Sequence, residues 1–227
     1  MIQRDMNITP IIKHHLEKHP LISSLTKNEL LELEQNSKLK TIKKGNSVPL
    51  SIHSNTVYIV LSGCLKIFEM NLNGQSLVKE VLKKGGVFGA FLSDDPDHLE
   101  YATSSSEQAV LCCLSYSVIN RITLQNHTFS SHLNHMVSKK LRNIENRYRN
   151  VIFSRSIEKR LINLLKQWAE YEGEKKGSKT ILNVSLTHEE LASMIGSTRA
   201  TVTAILNQLR DTGEIDYHKG RIEIKNL

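Results

Sequence analysis

The chain has 227 residues, 39% apolar and 23% charged, enough for one large or two modest domains with buried cores. Its three cysteines, Cys64, Cys112 and Cys113, form no CxxC pair, and no apolar run reaches the length of a signal peptide or a membrane span. That argues against a disulfide framework, a cysteine-rich metal site and a membrane partner, and for a cytoplasmic protein with no cofactor. The net charge of +7 is unevenly placed: the first 120 residues hold 12 basic and 12 acidic side chains, and the rest hold 18 and 11. A neutral half joined to a basic half is the pattern of one domain that meets nucleic acid and another that does something else.

From Pro10 to about Lys38, leucines and isoleucines recur at spacings of three to five, which predicts helices; Thr26 with Glu29 reads as a capping box. The pattern then turns to short β-rich runs at Lys40–Ile42, Thr56–Leu61, Cys64–Met70, Leu77–Leu82 and Ala109–Leu114. Asn73-Gly74 between two of them predicts a hairpin, because both residues tolerate positive φ. Several short strands at regular spacing indicate an antiparallel roll. The cysteines lie in these apolar runs, where a thiol serves as a small hydrophobe.

Ser117 opens a long helical region with an expected interruption near Asn126. Within it Leu133, Val137, Leu141, Ile144, Tyr148 and Val151 step by three or four. Such a stripe serves either a two-stranded dimer seam or packing on the chain's own β-domain. A helix joining two domains has few intramolecular surfaces to cover it, which favours the seam. A further helix over Ser156–Tyr171 has Ile157, Leu161, Leu164, Leu165 and Trp168 on one face, followed by a polar loop over 172–179 and a short strand at Thr180–Val184. The domains expected are 1–116, 117–153 and 154–227.

The segment SLTHEELASMIGSTRATVTAILNQLRDTGEI is the most specific in the chain. Thr187 and Glu190 form a second capping box, Ala192 is small where a second helix must cross, Gly196 permits a left-handed turn, and Thr198 caps a helix with Val202, Ile205, Leu206 and Leu209 inward. That is a helix-turn-helix. A hairpin of Glu214–Tyr217 and Arg221–Lys225 around His218-Lys219-Gly220 adds a wing. The DNA-facing set is His188, Ser197, Thr198, Arg199, Ala200, Thr201, Thr203, Asn207 and His218. Arg199 suits guanine O6 and N7, while the hydroxyls of Thr198 and Thr201 and the N–H groups at the helix start suit phosphate.

With these residues assembled, the chain resembles the Crp/Fnr superfamily of bacterial transcription regulators. The glycines of YIVLSGCLKIF (Tyr58–Phe68) and LKKGGVFGAF (Leu82–Phe91) carry the likeness through the roll. The resemblance implies an α+β chain: an N-terminal antiparallel β-roll of the cyclic-nucleotide-binding-domain type, a long dimerisation helix and a C-terminal winged helix-turn-helix. It further implies binding to double-stranded DNA at a palindromic operator as a homodimer, with RNA polymerase as a partner and a small-molecule effector of unknown identity.

The departures define an effector pocket at Gly89, Ala90, Phe91, Glu100 and Tyr101 that lacks cyclic-AMP chemistry. Gly89-Ala90-Phe91 stands where cyclic-AMP-binding members carry Gly-Glu-Leu, and Glu100-Tyr101 stands where they carry the phosphate-clamping Arg-Ser. Their base-touching Thr-Ser pair falls near Ile144-Glu145, and no arginine occurs between Arg4 and Arg121. A phosphate facing Glu100 and the Asp94–Asp97 loop without a guanidinium is unfavourable. The iron–sulfur branch needs N-terminal cysteines, and the first here is Cys64. His127, His132 and His135 read as solvated histidines rather than a haem or metal site. On the second helix, Ala200 and Ala204 replace the acidic residue and second arginine of the catabolite-activator pattern, so the operator differs. The alternative is an effector-binding protein or enzyme using the roll as a pocket, for which His53, His98 and the Asp94–Asp97 loop are the candidates and none has ligand spacing.

Overall fold

The computed structural model describes residues 19–50, 55–89, 98–183, 186–218 and 221–225. Two compact units divide the chain, one of residues 1–75 with 79–139 and one of residues 76–78 with 140–227.

In the first unit, helices α1 (Pro20–Ser23) and α2 (Lys27–Gln35) come first. The capping box at α2 is formed, with the Glu29 carboxylate accepting from the Thr26 N–H at 2.7 Å and Thr26 Oγ1 accepting from the Glu29 N–H at 3.3 Å. The helix stops at Gln35, not Lys38, because the Asn36 amide turns back onto the Glu32 carbonyl at 2.8 Å and Ser37 already pairs in a strand. The segment Pro10–Lys18 lies outside the described residues.

Among the described residues eight strands follow: β1 (Ser37–Lys43), β2 (Ser47–Leu50), β3 (Thr56–Ser62), β4 (Leu65–Asn71), β5 (Ser76–Leu82), β6 (Val87–Gly89), β7 (His98–Ser104) and β8 (Gln108–Ser115). They form two four-stranded sheets, β1-β8-β3-β6 and β2-β7-β4-β5. Three of them, β2, β6 and β7, escape the sequence reading: β2 contains Pro49 at a sheet edge, β6 has three residues, and β7 is largely polar. At the β4–β5 hairpin only Gly74 has positive φ, at 74°. Its N–H donates to the Asn71 carbonyl while the Asn71 N–H donates to that of Gln75, both at 3.0 Å. This is a type I turn closed by a glycine bulge, not a two-residue turn with both φ positive.

Strand β3 explains the layering. Val57, Ile59 and Leu61 pack on one face with Cys112 and Leu114 of β8 and with helices, while Tyr58 and Val60 face the interior between the sheets with Leu65, Ile67 and Ala102. A strand buried on both faces reads as an unbroken apolar run, as Thr56–Leu61 does. Cys112 is buried, and burial pushes its thiol up to about 12, so it serves as a hydrophobe.

Helix α3 (Tyr116–Gln125) ends at the expected interruption. Asn126 there is extended; its Oδ1 accepts from the Phe129 N–H, which starts α4 (His127–Phe153), and its amide donates to the Ser24 carbonyl and Glu29. Phe129, Leu133 and Met136 pack against the helix-covered core. Leu133 is therefore covered by the chain's own β-domain. From there on the stripe changes character: Val137, Leu141, Ile144 and Tyr148 are exposed, and Val151 is half-buried.

The second unit contains α5 (Ile157–Glu172), β9 (Glu174–Lys176), β10 (Lys179–Leu182), α6 (His188–Ile195), α7 (Arg199–Asp211), β11 (Ile215–His218) and β12 (Arg221–Ile224), with sheet order β11-β12-β10-β9. Leu161, Leu164 and Leu165 of α5 share a core with the inward faces of α6, α7 and the sheet. The segment 172–179, expected as a loop, contains β9. All three of its residues are exposed at a sheet edge, so no apolar alternation marks it. Val184 lies outside the described residues. No described helix is long and apolar enough to cross a membrane.

Candidate nucleic-acid interface

Helix α6 begins in its capping box, with the Thr187 N–H donating to the Glu190 carboxylate at 2.7 Å and the Glu190 N–H to Thr187 Oγ1 at 3.1 Å. It ends at Gly196, whose φ of 63° and ψ of 53° are left-handed. Thr198 caps α7 by accepting from the Thr201 N–H at 3.2 Å. Ala192, Val202, Ile205, Leu206 and Leu209 are buried as the sequence requires. Arg160 of α5 adds a fastening that no local pattern shows, donating to the Ser154 carbonyl at 2.9 Å and to the Ile195 carbonyl at 3.3 Å. The latter is one of the end carbonyls a helix leaves without a partner.

The exposed start of α7 is where the proposed DNA-facing residues converge. Thr198, Arg199 and Ala200 are exposed, and Ser197, Thr201, Thr203 and Asn207 are half-buried. As the first helical residues, Arg199 and Ala200 have N–H groups with no intrahelical acceptor. The Arg199 guanidinium has no ion-pair partner among the described residues. Four basic groups of the wing, its sheet and the end of α7 are engaged: Arg210 with Asp211 at 3.3 Å, Arg221 and Lys179 with Glu223 at 2.6 and 3.5 Å, and Lys225 with Asp216 at 3.9 Å. Positive charge is thus left open at the helix start and largely compensated on the wing.

The wing residue His218 is exposed and sits 3.5 Å from Asp216, and Lys219 lies outside the described residues. His188 is placed differently from an open contact residue. Its Nδ1 lies 2.7 Å from Thr203 Oγ1, its ring is 5.0 Å from that of Tyr217, and its Nε2 is sealed from water without a partner. Burial, and then the Arg199 charge, hold its pKa below the ordinary value. Thr203 is likewise committed, donating to the Arg199 carbonyl at 2.8 Å.

A search of family models matches residues 159–227 to the Crp-like helix-turn-helix domain. Among curated proteins the chain is 28% identical over 206 residues to ycf28 of Porphyra purpurea, named as an HTH-type transcriptional regulator, covering 89% of this chain and 77% of that one. Its fold is similar to that of a CooA variant from Carboxydothermus hydrogenoformans, with TM-score 0.70, 19% identity and 85% of each chain covered. It is also similar to a Crp/Fnr-family protein from Eubacterium rectale, with TM-score 0.64 and 16% identity, covering 91% of this chain and 94% of that one. Residues 159–227 are a Crp-like helix-turn-helix domain. The chain's β-roll, long helix and helix-turn-helix share the fold of those two solved structures.

Of the expected effector residues, the described ones, Gly89, Glu100 and Tyr101, do not share one face. Glu100 and Tyr101 are neighbours on β7, so alternation sends them to opposite faces. Tyr101 stacks on Phe68 with ring centres 5.0 Å apart, whereas Glu100 is buried on the side of Ala102 and pairs with Lys79, which also holds Glu69 at 3.1 Å. Burial opposes the Lys79 charge, but hydrogen bonds to Glu100 and Glu69 outweigh it and raise its pKa. Gly89 belongs to the other sheet, with φ 107° and room for no Cβ, which would meet the Thr56 carbonyl oxygen at 2.3 Å. Its glycine is a packing requirement. Ala90, Phe91, His53 and Asp94–Asp97 lie outside the described residues, as does the His98 side chain. No group of three or more potential metal ligands occurs among the described residues, and His132 bonds the Pro20 carbonyl at 3.0 Å.

Proposed function

We propose that this Crp/Fnr-type transcription regulator reads a palindromic operator as a homodimer, through Ser197, Thr198, Arg199, Ala200, Thr201, Thr203 and Asn207, with His218 reaching the DNA backbone. The observation that carries the reading is the start of α7: an exposed Arg199 with no ion-pair partner among the described residues, beside backbone N–H groups without an intrahelical acceptor, held on a helix-turn-helix. Residues 1–116 act as the sensor, 117–153 as the dimer helix and 154–227 as the DNA-binding domain. The unpartnered side chains Val137, Leu141, Ile144 and Tyr148 support the seam. The protein acts in the cytoplasm without a cofactor, with RNA polymerase and an effector as further partners. Cyclic AMP is not that effector, because Glu100 stands where a phosphate would need an arginine and Lys79 is already shared by two carboxylates.

Selection of duplexes from a random library by the full chain, at two salt concentrations, tests this. A two-fold-symmetric site with salt-sensitive affinity supports it; uniform weak binding to all sequences overturns it. Cyclic AMP leaves the affinity unchanged.

A further inference from the structure

We propose that His188 is a positioning residue for operator reading, its neutral imidazole donating from Nδ1 to the Thr203 hydroxyl and so setting the recognition helix against α6 and the wing. The inference rests on the DNA-binding reading above, but its first test does not need DNA.

A threonine hydroxyl has one hydrogen. At Thr203 that hydrogen goes to the Arg199 carbonyl, 2.8 Å away, one helical turn back. Oγ1 can then only accept from its second neighbour, His188 Nδ1 at 2.7 Å. The imidazole must therefore carry its proton on Nδ1, leaving Nε2 a bare acceptor, and Nε2 is sealed from water. A second proton there would be a buried, unpaired charge beside Arg199. The relay His188 to Thr203 to the Arg199 carbonyl joins the first residue of α6 to the first turn of α7, and the ring rests on Tyr217 of β11. Three elements that must present one surface to a groove thus share one side chain. The same bonds constrain Thr203, whose hydroxyl has a lone pair left to offer a base but no proton.

Long-range proton–nitrogen spectra of the full chain, labelled at histidine nitrogen, read the tautomer directly. The expected result is an Nδ1–H signal lost in His188→Gln; an Nε2–H tautomer at His188 overturns the proposal. Affinity is then measured on the duplex selected by the wild-type chain. His188→Leu weakens binding by about tenfold, the scale of a lost bond with a polar partner left buried, and His188→Gln, which keeps a donor, recovers most of it. In a Thr203→Val background, checked for wild-type thermal unfolding, His188→Leu has no further effect. A full loss in that background means that His188 does not act through Thr203 and overturns the relay. If no duplex is selected, the DNA reading has failed, while the tautomer still decides the geometry.

Discussion

Replacing Leu141 by alanine should weaken the proposed homodimer without weakening the fold. Leu141 is 56% exposed, between Val137 at 47%, Ile144 at 44% and Tyr148 at 67% on the same face of α4, and it belongs to none of the three hydrophobic cores. Full burial of a leucine is worth roughly 1.5–3 kcal/mol, so covering the exposed half yields about 1–1.5 kcal/mol per copy. A two-fold seam loses this twice, about 2–3 kcal/mol, which raises the dimer dissociation constant roughly 30- to 150-fold. Alanine is the better helix former, so α4 itself is not weakened. Sedimentation equilibrium over a range of protein concentrations reads the constant, and thermal unfolding at fixed concentration reads the fold. An unchanged dissociation constant would refute the assignment of this face to a partner. So would a variant that unfolds as a monomer at a clearly lower temperature, since that would place Leu141 in an intramolecular contact.

Arg199→Ala should cost about 1–3 kcal/mol per half-site on the selected duplex, with unfolding unchanged because the guanidinium has no partner in the folded chain among the described residues; equal losses on selected and scrambled duplexes would reassign it from base to phosphate. Gly196→Ala should destabilise the C-terminal domain by about 1–2 kcal/mol through its left-handed backbone rather than through a clash, the nearest atom to a new Cβ being Arg160 Nη1 at 3.9 Å. Chemical denaturation should show Gly196→Asn losing less. Acid should weaken the fold through His19 and His188, whose pKa values are lowered from 6.5, chiefly by burial. The folded state favours the neutral rings, so their stabilisation is complete above 6.5 and is lost as pH falls below it towards the lowered folded-state values. His19→Gln should flatten the denaturation midpoint between pH 7 and 5 relative to wild type; an unchanged pH dependence would show that His19 titrates as in the unfolded chain.

The helix-turn-helix was legible because its determinants are local. The Thr187–Glu190 capping box, the Thr198 cap, the glycine at the turn and the inward faces at three- and four-residue spacing lie within a few residues of one another, and Gly196 and Thr198 occupy those roles in the structure. Apolar β3 and β8 were legible for the same reason, whereas β2, β6, β7 and β9 are short, polar or at a sheet edge and leave no periodic trace.

Pairing across distance is what the sequence could not supply. His188 and Thr203 are fifteen residues apart, Lys79 and Glu100 twenty-one, and nothing in either local pattern links them. Alternation on β7 parts Glu100 from Tyr101, although adjacency in the chain had grouped them. The stripe on α4 likewise looked uniform until the packing assigned Leu133 inward and left Val137 to Tyr148 uncovered. Local chemistry therefore determined the type of each strongly periodic element and the DNA-reading end of the molecule. Only the tertiary structure decided which polar groups are spent on one another, because a hydrogen bond or an ion pair depends on where two distant segments meet.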